Sequence, residues 1–86
     1  MTAKEMFEKL GYECDVGCDG ILYSQYIDIP NGDVANCQID FDKVNKTVEK
    51  KVVQAGFGTK RYRTIINIEE LKAINKQIEE LGWNNE

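Results

Sequence analysis

Apolar residues recur at helical spacing near both ends of the chain, and each of these two stretches carries its own start and stop signals. A capping-box pattern precedes each stretch, with Thr or Asn followed three positions later by Glu. Each stretch ends in Leu-Gly and an aromatic residue, and glycine most easily adopts the left-handed backbone that follows a last helical turn. The pattern therefore predicts one helix over Ala3 to Leu10 and another over Ile68 to Leu81. The starts and stops are Thr2-x-x-Glu5, Asn67-x-x-Glu70, Leu10-Gly11-Tyr12 and Leu81-Gly82-Trp83.

Between the two helices, apolar and polar residues alternate with the period of two that is typical of β-strands. Strands are predicted over residues 21–29 and 34–41. Pro30-Asn31-Gly32-Asp33 separates them, and its Asn-Gly pair favours a hairpin turn because both residues tolerate positive φ. A third strand is predicted over residues 47–54, after a polar turn at 42–46.

Four other features of the middle of the chain are less regular. Residues 13–20 contain glycines, cysteines and acids and are predicted to form a loop. The adjacent Lys50 and Lys51 indicate that the third strand is an edge strand protected by charge. Residues 55–60 are predicted to form a flexible loop. Residues 61–66 fit either a short fourth strand or an extended lead-in to the last helix, and the pattern favours the strand.

These elements predict a single α+β domain over residues 1–86. Short connections favour an antiparallel meander. Two helices that flank one sheet in sequence pack most simply side by side on its apolar face. The expected fold is a two-layer arrangement with an N-terminal helix, a three- or four-stranded meander and a C-terminal helix, both helices lying on one face of the sheet. Its predicted core consists of Phe7, Leu10, Ile39, Phe41, Leu71, Ile74 and Ile78.

The composition narrows the classes of protein to which the chain can belong. A net charge of -4, from 15 acidic and 11 basic residues, disfavours a general nucleic-acid coat protein. No stretch is apolar enough to span a bilayer or to form a signal-peptide core, so we expect a cytoplasmic protein with no membrane partner. The chain has no histidine, which removes the commonest general base and the commonest zinc ligand. Because a nucleophile motif and a phosphate loop are also missing, we expect no enzymatic activity and no cofactor.

Three cysteines are candidate metal ligands or redox groups. A structural zinc site normally has four ligands, and they are usually more closely spaced than these cysteines. Cys14, Cys18 and Cys37 would supply three ligands. The fourth could only be Asp15, Asp19 or a group from outside the chain. The spacing also differs from the redox motif Cys-x-x-Cys. We therefore expect Cys37 to be a small core residue, Cys14 and Cys18 to be reduced loop thiols, and no metal to be bound.

Two pairs of carboxylates could carry chemistry. Asp40 and Asp42 face the same side of a strand and could bind a cation or act as acid and base. Nothing else in the chain completes such a site, so a solvated strand face is expected. Glu79 and Glu80 lie in the last turn of the second helix, where the macrodipole favours cations. This is either a mismatch that Lys76 compensates or an acidic contact patch.

The chain has one concentration of positive charge, and it surrounds aromatic residues. Two glycines flank Phe57, and Lys60, Arg61 and Arg63 surround Tyr62. Aromatic and arginine residues are the usual anchors of protein interfaces. The same residue types hold single-stranded nucleic acid by base stacking and phosphate contacts. An exposed edge strand with ordinary charges is the third alternative. We predict that these five residues bind a protein, with single-stranded nucleic acid as the alternative ligand.

The two ends of the chain are similar to those of a known group of proteins. MTAKEMFEKLGY at the start and EELKAINKQIEELGW at the end resemble the ends of small uncharacterised proteins carried by phages and prophages of Gram-positive bacteria. IDFDKVNKTVEKK in the middle resembles their strand-turn-strand element. Residues 14–20 depart from the pattern and read as an insertion. The resemblance covers about half of the chain and implies a mobile-element origin, but it carries over no catalytic or ligand residue.

The residues and the resemblance together predict a small phage-type protein that works through protein contacts. Phages often use such compact proteins as adaptors or as inhibitors of host machinery, so the expected partner is a host or phage protein. A third or fourth strand exposed at the edge of the sheet could also pair across a two-fold axis and form a homodimer.

Overall fold

The architecture is taken from a computed structural model, which describes residues 1–28, 34–55 and 65–83, with the backbone alone for 53–55. Two helices enclose four strands in sequence, which confirms the predicted α+β class. The elements are α1 (Ala3–Lys9), β1 (Glu13–Val16), β2 (Gly20–Asp28), β3 (Val34–Asp42), β4 (Thr47–Ala55) and α2 (Ile68–Leu81).

The four strands form one antiparallel meander in the order β1-β2-β3-β4. β2 and β3 pair from Gly20 opposite Asp42 to Asp28 opposite Val34. β4 pairs with β3 along its whole length. The polar turn predicted between the third and fourth of these strands is confirmed, because the Asp42 carboxylate accepts the backbone N–H groups of Val44 and Asn45.

β1 corrects the prediction that residues 13–20 form a loop. Glu13–Val16 instead pairs with β2, and the N–H of Gly17 donates to the carbonyl of Gly20 to close the turn. Three of the four side chains in β1 are exposed, so no apolar alternation marks it in the sequence. β1 is a strand because its backbone hydrogen-bonds to β2, and the propensities of its own residues do not predict this. A Cβ at Gly20 would lie 2.3 Å from the carbonyl oxygen of Phe41, so the sheet requires glycine there.

Several predicted elements fall on residues that the structure does not describe. The Asn-Gly turn at 30–33, most of the loop at 55–60 and residues 61–64 of the favoured extra strand lie outside the described residues. Ile65 and Ile66 are described and belong to no strand. Within the described ranges, neither helix has the length and apolar character needed to cross a membrane.

The core lies between the inner face of the sheet and the two helices. Phe7 of α1 stacks on Tyr23 of β2 with ring centroids 3.9 Å apart, and the edge of Phe41 meets Phe7 at 6.1 Å. All three side chains are fully buried. Burying a large apolar side chain contributes about 1.5–3 kcal/mol, so these rings are a major source of stability. The buried cluster consists of Phe7, Tyr12, Ile21, Tyr23, Cys37, Ile39, Phe41, Ala73 and Ile74, and the predicted core members Leu10 and Ile78 pack against it half-buried.

Leu71 is the predicted core residue that the structure contradicts, because 44% of it is exposed. The buried residues of α2 are Glu70, Ala73, Ile74 and Gln77. Two of these four are polar, and they turn inward to make hydrogen bonds with core tyrosines. The buried face is therefore rotated away from the apolar stripe that the sequence shows, and Leu71 is left on the solvent side.

Both helices end as their Leu-Gly-aromatic motifs predict. Gly11 and Gly82 have φ values of 92° and 75°, in the left-handed region. In each case the following aromatic residue donates its N–H to a carbonyl five positions earlier, that of Phe7 or Ile78, which is the Schellman pattern. Both predicted capping boxes are also present at the helix starts. Trp83, which follows the glycine at the end of α2, is half-buried against the core.

The acidic end of α2 lies beside the start of α1. The carboxylate of Glu80 accepts the backbone N–H of Ala3 at 2.7 Å. The positive end of a helix dipole stabilises a negative charge there. Glu80 is thus an N-terminal partner of α1, and neither the mismatch nor the contact patch predicted for it describes its role. Lys76 does lie beside the other acid of this turn, with its ammonium group 3.6 Å from the carboxylate of Glu79.

Candidate binding surface

A buried polar cluster joins β4, α2 and Tyr12, which is the third residue after the end of α1. The ammonium group of Lys50 lies 3.0 and 2.8 Å from the two carboxylate oxygens of Glu70, and the hydroxyl of Tyr12 donates to the same carboxylate at 2.6 Å. Only 8% of the Lys50 side chain and 7% of the Glu70 side chain are exposed. A buried charge is tolerated only when it is paired and hydrogen-bonded, and both conditions are met here.

The capping box of α2 places Glu70 in this cluster. The side chain of Asn67 accepts the N–H of Glu70, and the carboxylate of Glu70 accepts the N–H of Asn67. Burial raises the pKa of Glu70, but hydrogen bonds from Lys50, Tyr12 and Asn67 outweigh burial and hold the pKa below its ordinary value of 4.5. Burial and the bond to Glu70 raise the pKa of Tyr12 well above its usual range. The carboxylate is occupied by donors, so the cluster joins elements and does not present Glu70 as a base.

The prediction that Lys50 and Lys51 protect an edge strand is correct for the strand and for Lys51 but wrong for Lys50, since β4 lies at an edge of the sheet that the described residues form. Lys51 does face solvent, with 54% of its side chain exposed, but Lys50 faces the helices. Lys50 also donates to the backbone carbonyl of Ile65. Ile65 is the second residue after Arg63, the last member of the predicted binding segment. The cluster therefore fixes the chain where that segment ends and α2 is about to begin.

Four apolar side chains are exposed around the start of α2. The exposed fractions are 62% for Ile65, 47% for Ile66, 64% for Ile68 and 44% for Leu71. We call these four residues the Ile–Leu patch. Single exposed apolar residues are normal, but a run of them within seven positions next to a buried ionic anchor marks a candidate contact surface.

The binding residues predicted from the sequence are Phe57, Lys60, Arg61, Tyr62 and Arg63, and all five lie outside the described residues. Their placement stays a prediction. The Ile–Leu patch follows them directly in the chain, and sequence reasoning missed it because Leu71 fits an apolar stripe and Ile65 and Ile66 fit a strand. No local sequence pattern marks the burial of Glu70 and Gln77, so the side of α2 that faces water could not be predicted.

Four aspartates surround an open concavity on the sheet face opposite the helices. The concavity has a volume of about 630 Å³, and its acidic residues are Asp15, Asp19, Asp40 and Asp42. The prediction that Asp40 and Asp42 share a solvated face is confirmed, and β1 and the turn after it bring Asp15 and Asp19 beside them. A hydrogen bond from the side chain of Asn45 lowers the pKa of Asp42. No group of three or more potential ligands within the described residues has metal-binding geometry.

The three cysteines occupy separate environments and are all free thiols. Cys37 is buried, as predicted, and burial raises the pKa of its thiol. Cys14 is half-buried and lies in β1, so its predicted loop position is wrong. Cys18 is exposed in the turn between β1 and β2. A raised pKa makes a thiol less reactive, so Cys37 is a packing residue.

Comparison with protein-family models, with curated proteins and with solved structures found no match to this chain. The resemblance of the chain ends to phage and prophage proteins therefore stays a prediction.

Proposed function

We propose that the chain is a protein-binding module without enzymatic activity, and that its contact surface combines the Ile–Leu patch with the predicted binding residues from Phe57 to Arg63. The observation that carries the proposal is the exposure of four apolar side chains beside the buried Lys50–Glu70 anchor. The anchor holds the described end of this surface in place, and a pre-ordered surface loses less entropy on binding.

The mixture of residue types also supports a protein partner. Apolar side chains form the desolvated centre of an interface, and aromatic and arginine residues supply its anchors. The Ile–Leu patch provides the first type and the predicted segment the second. In the proposed biology the module acts in the bacterial cytoplasm, as an adaptor or an inhibitor of host machinery, in keeping with the resemblance to phage proteins.

Single-stranded nucleic acid is disfavoured as the ligand by the charge of the sheet. Proteins that stack bases often use an open sheet face lined with aromatic and basic residues. Here the corresponding face carries the four aspartates of the concavity, which repel phosphate. Nucleic-acid binding would have to rely on the segment from Phe57 to Arg63 alone.

The proposal is tested by capture from a Gram-positive lysate with quantitative mass spectrometry. Ile68→Ser with Leu71→Ser should reduce capture of the specific partner at least about tenfold. Two apolar side chains are then lost from the centre of the interface, and a loss of about 1.4 kcal/mol in binding free energy already corresponds to a tenfold change in affinity. Val44→Ser is the matched control, since Val44 is 72% exposed in the turn after β3. Equal capture by both variants would rule out the Ile–Leu patch, and a low-salt shift of labelled oligonucleotides would favour the nucleic-acid alternative.

A further inference from the structure

β4 is an edge strand of the sheet that the described residues form. It is nine residues long, and within residues 1–28, 34–55 and 65–83 only β3 pairs with it. An edge strand carries a row of unpaired backbone N–H and C=O groups that can pair with another strand. The identity of a suitable partner strand is set by the side chains that would stand opposite each other.

The charged residues at the centre of β4 are only partly compensated within one chain. Glu49 and Lys51 lie on the outer face, with 62% and 54% of their side chains exposed and their charged groups 3.7 Å apart. Glu49 stands directly opposite Asp40 of β3. Like charges directly opposite each other on neighbouring strands are destabilising. A cation on the other side of Glu49 would therefore relieve this repulsion.

We infer that β4 pairs antiparallel with β4 of a second copy of this chain, with Lys50 on the two-fold axis. In this register Glu49 of each chain stands opposite the partner's Lys51, which gives two equivalent ion pairs on the outer face. The partner's Lys51 adds a second cation beside Glu49, which in its own chain has one ion pair to Lys51 and stands opposite Asp40. The pairing joins two four-stranded sheets into one of eight strands and closes by symmetry.

The inner face is compatible with the same register. Val48 stands opposite the partner's Val52, and both valines are half-buried at the margin of the core. β-branched cross-strand pairs stabilise sheets. The two Lys50 side chains meet at the axis, but each ammonium group is already paired with a buried Glu70 carboxylate in its own chain. Their repulsion is therefore reduced.

Charge also selects this register over its neighbours. A slip by one residue would turn every side chain to the other face of the sheet, so the neighbouring registers differ by two residues. A slip in one direction places Glu49 opposite the partner's Glu49, and a slip in the other places Lys51 opposite the partner's Lys51. Both neighbouring registers lose the ion pairs and add a like-charge contact, so the pattern Glu-Lys-Lys specifies one alignment.

The test is a charge exchange followed by sedimentation equilibrium of the full chain. Wild type should be a dimer, and Glu49→Lys and Lys51→Glu should each weaken self-association at least about tenfold because like charges then face each other. The double variant Glu49→Lys/Lys51→Glu should recover the dimer, since the exchanged pattern is again self-complementary. An equimolar mixture of the two single variants should form a heterodimer.

The exchange also separates an interface effect from a folding effect. Glu49 and Lys51 are both exposed in the isolated chain, so replacing them should not disturb folding. The circular dichroism spectrum and the urea midpoint of a monomeric variant should therefore be close to the wild-type values extrapolated to low protein concentration. A monomeric wild type at all soluble concentrations would overturn the inference. A dimer that persists in both single variants, or that is not restored by the exchange, would overturn it as well.

Discussion

Replacing Lys50 with methionine removes the ammonium group from the buried cluster and keeps an unbranched side chain. The carboxylate of Glu70 is then left buried with 7% of its side chain exposed and without its cation. Breaking a buried pair in this way costs about 3–5 kcal/mol, because one charge remains uncompensated. A chain of 86 residues has a total stability of roughly 4–13 kcal/mol, so we expect the variant to lose at least about a quarter of it.

A double-mutant cycle measures the pair itself. Glu70→Gln also leaves one buried charge unpaired, but its amide oxygen can still accept the hydroxyl of Tyr12. We expect Lys50→Met with Glu70→Gln to cost at least about 1 kcal/mol less than the sum of the two single changes. The free energy of unfolding is measured by urea denaturation at one protein concentration, followed by the fluorescence of Trp83.

The matched control is Lys72→Met, which removes a lysine that is 62% exposed on α2. Surface substitutions of this type usually change stability by less than about 0.5 kcal/mol. If Lys50→Met costs no more than Lys72→Met, or if the cycle is additive within about 0.5 kcal/mol, Lys50 and Glu70 do not form a stabilising buried pair. The Ile–Leu patch then has no fixed anchor beside it.

Two further predictions follow from individual carboxylates. Glu80→Gln should lower stability by about 0.5–2 kcal/mol in urea denaturation because the N–H of Ala3 loses a charged acceptor, whereas Glu79→Gln should have almost no effect. The folded-state pKa of Glu70 lies below its ordinary value of 4.5, so its contribution is present above that value and is lost as pH falls through the folded-state pKa. Glu70→Gln should therefore flatten the loss of stability below about pH 4.5, and an unchanged acid limb would contradict this assignment.

The parts of the fold that sequence reasoning predicted correctly are those with local physical signals. Capping boxes and Leu-Gly-aromatic endings specify the helix boundaries, because the hydrogen bonds that they make lie within a few residues. The alternation of Cys37, Ile39 and Phe41 specifies the inner face of β3, because successive side chains point to opposite sides. These signals need no knowledge of the distant chain.

The parts that were predicted wrongly depend on contacts between distant segments. β1 is a strand because β2 lies beside it, and its own residues are too polar to indicate this. The carboxylate of Glu80 accepts the N–H of Ala3, which is 77 positions away, so it interacts with the dipole of α1 and not only with that of its own helix. The candidate site divides in the same way, since the basic and aromatic residues from Phe57 to Arg63 are visible in sequence and the exposure of Leu71 is not.

The orientation of α2 connects the stability of the fold with the proposed contact surface. Turning Leu71 inward would also turn Glu70 and Gln77 away from Tyr12 and Tyr23, and a buried hydroxyl without a partner costs about 1–3 kcal/mol. Two such losses cost about 2–6 kcal/mol, and the midpoint of that range is larger than the roughly 1.5–3 kcal/mol gained by burying one leucine. The polar bonds therefore fix the rotation of the helix, and apolar surface at its start stays available to a partner as a direct consequence.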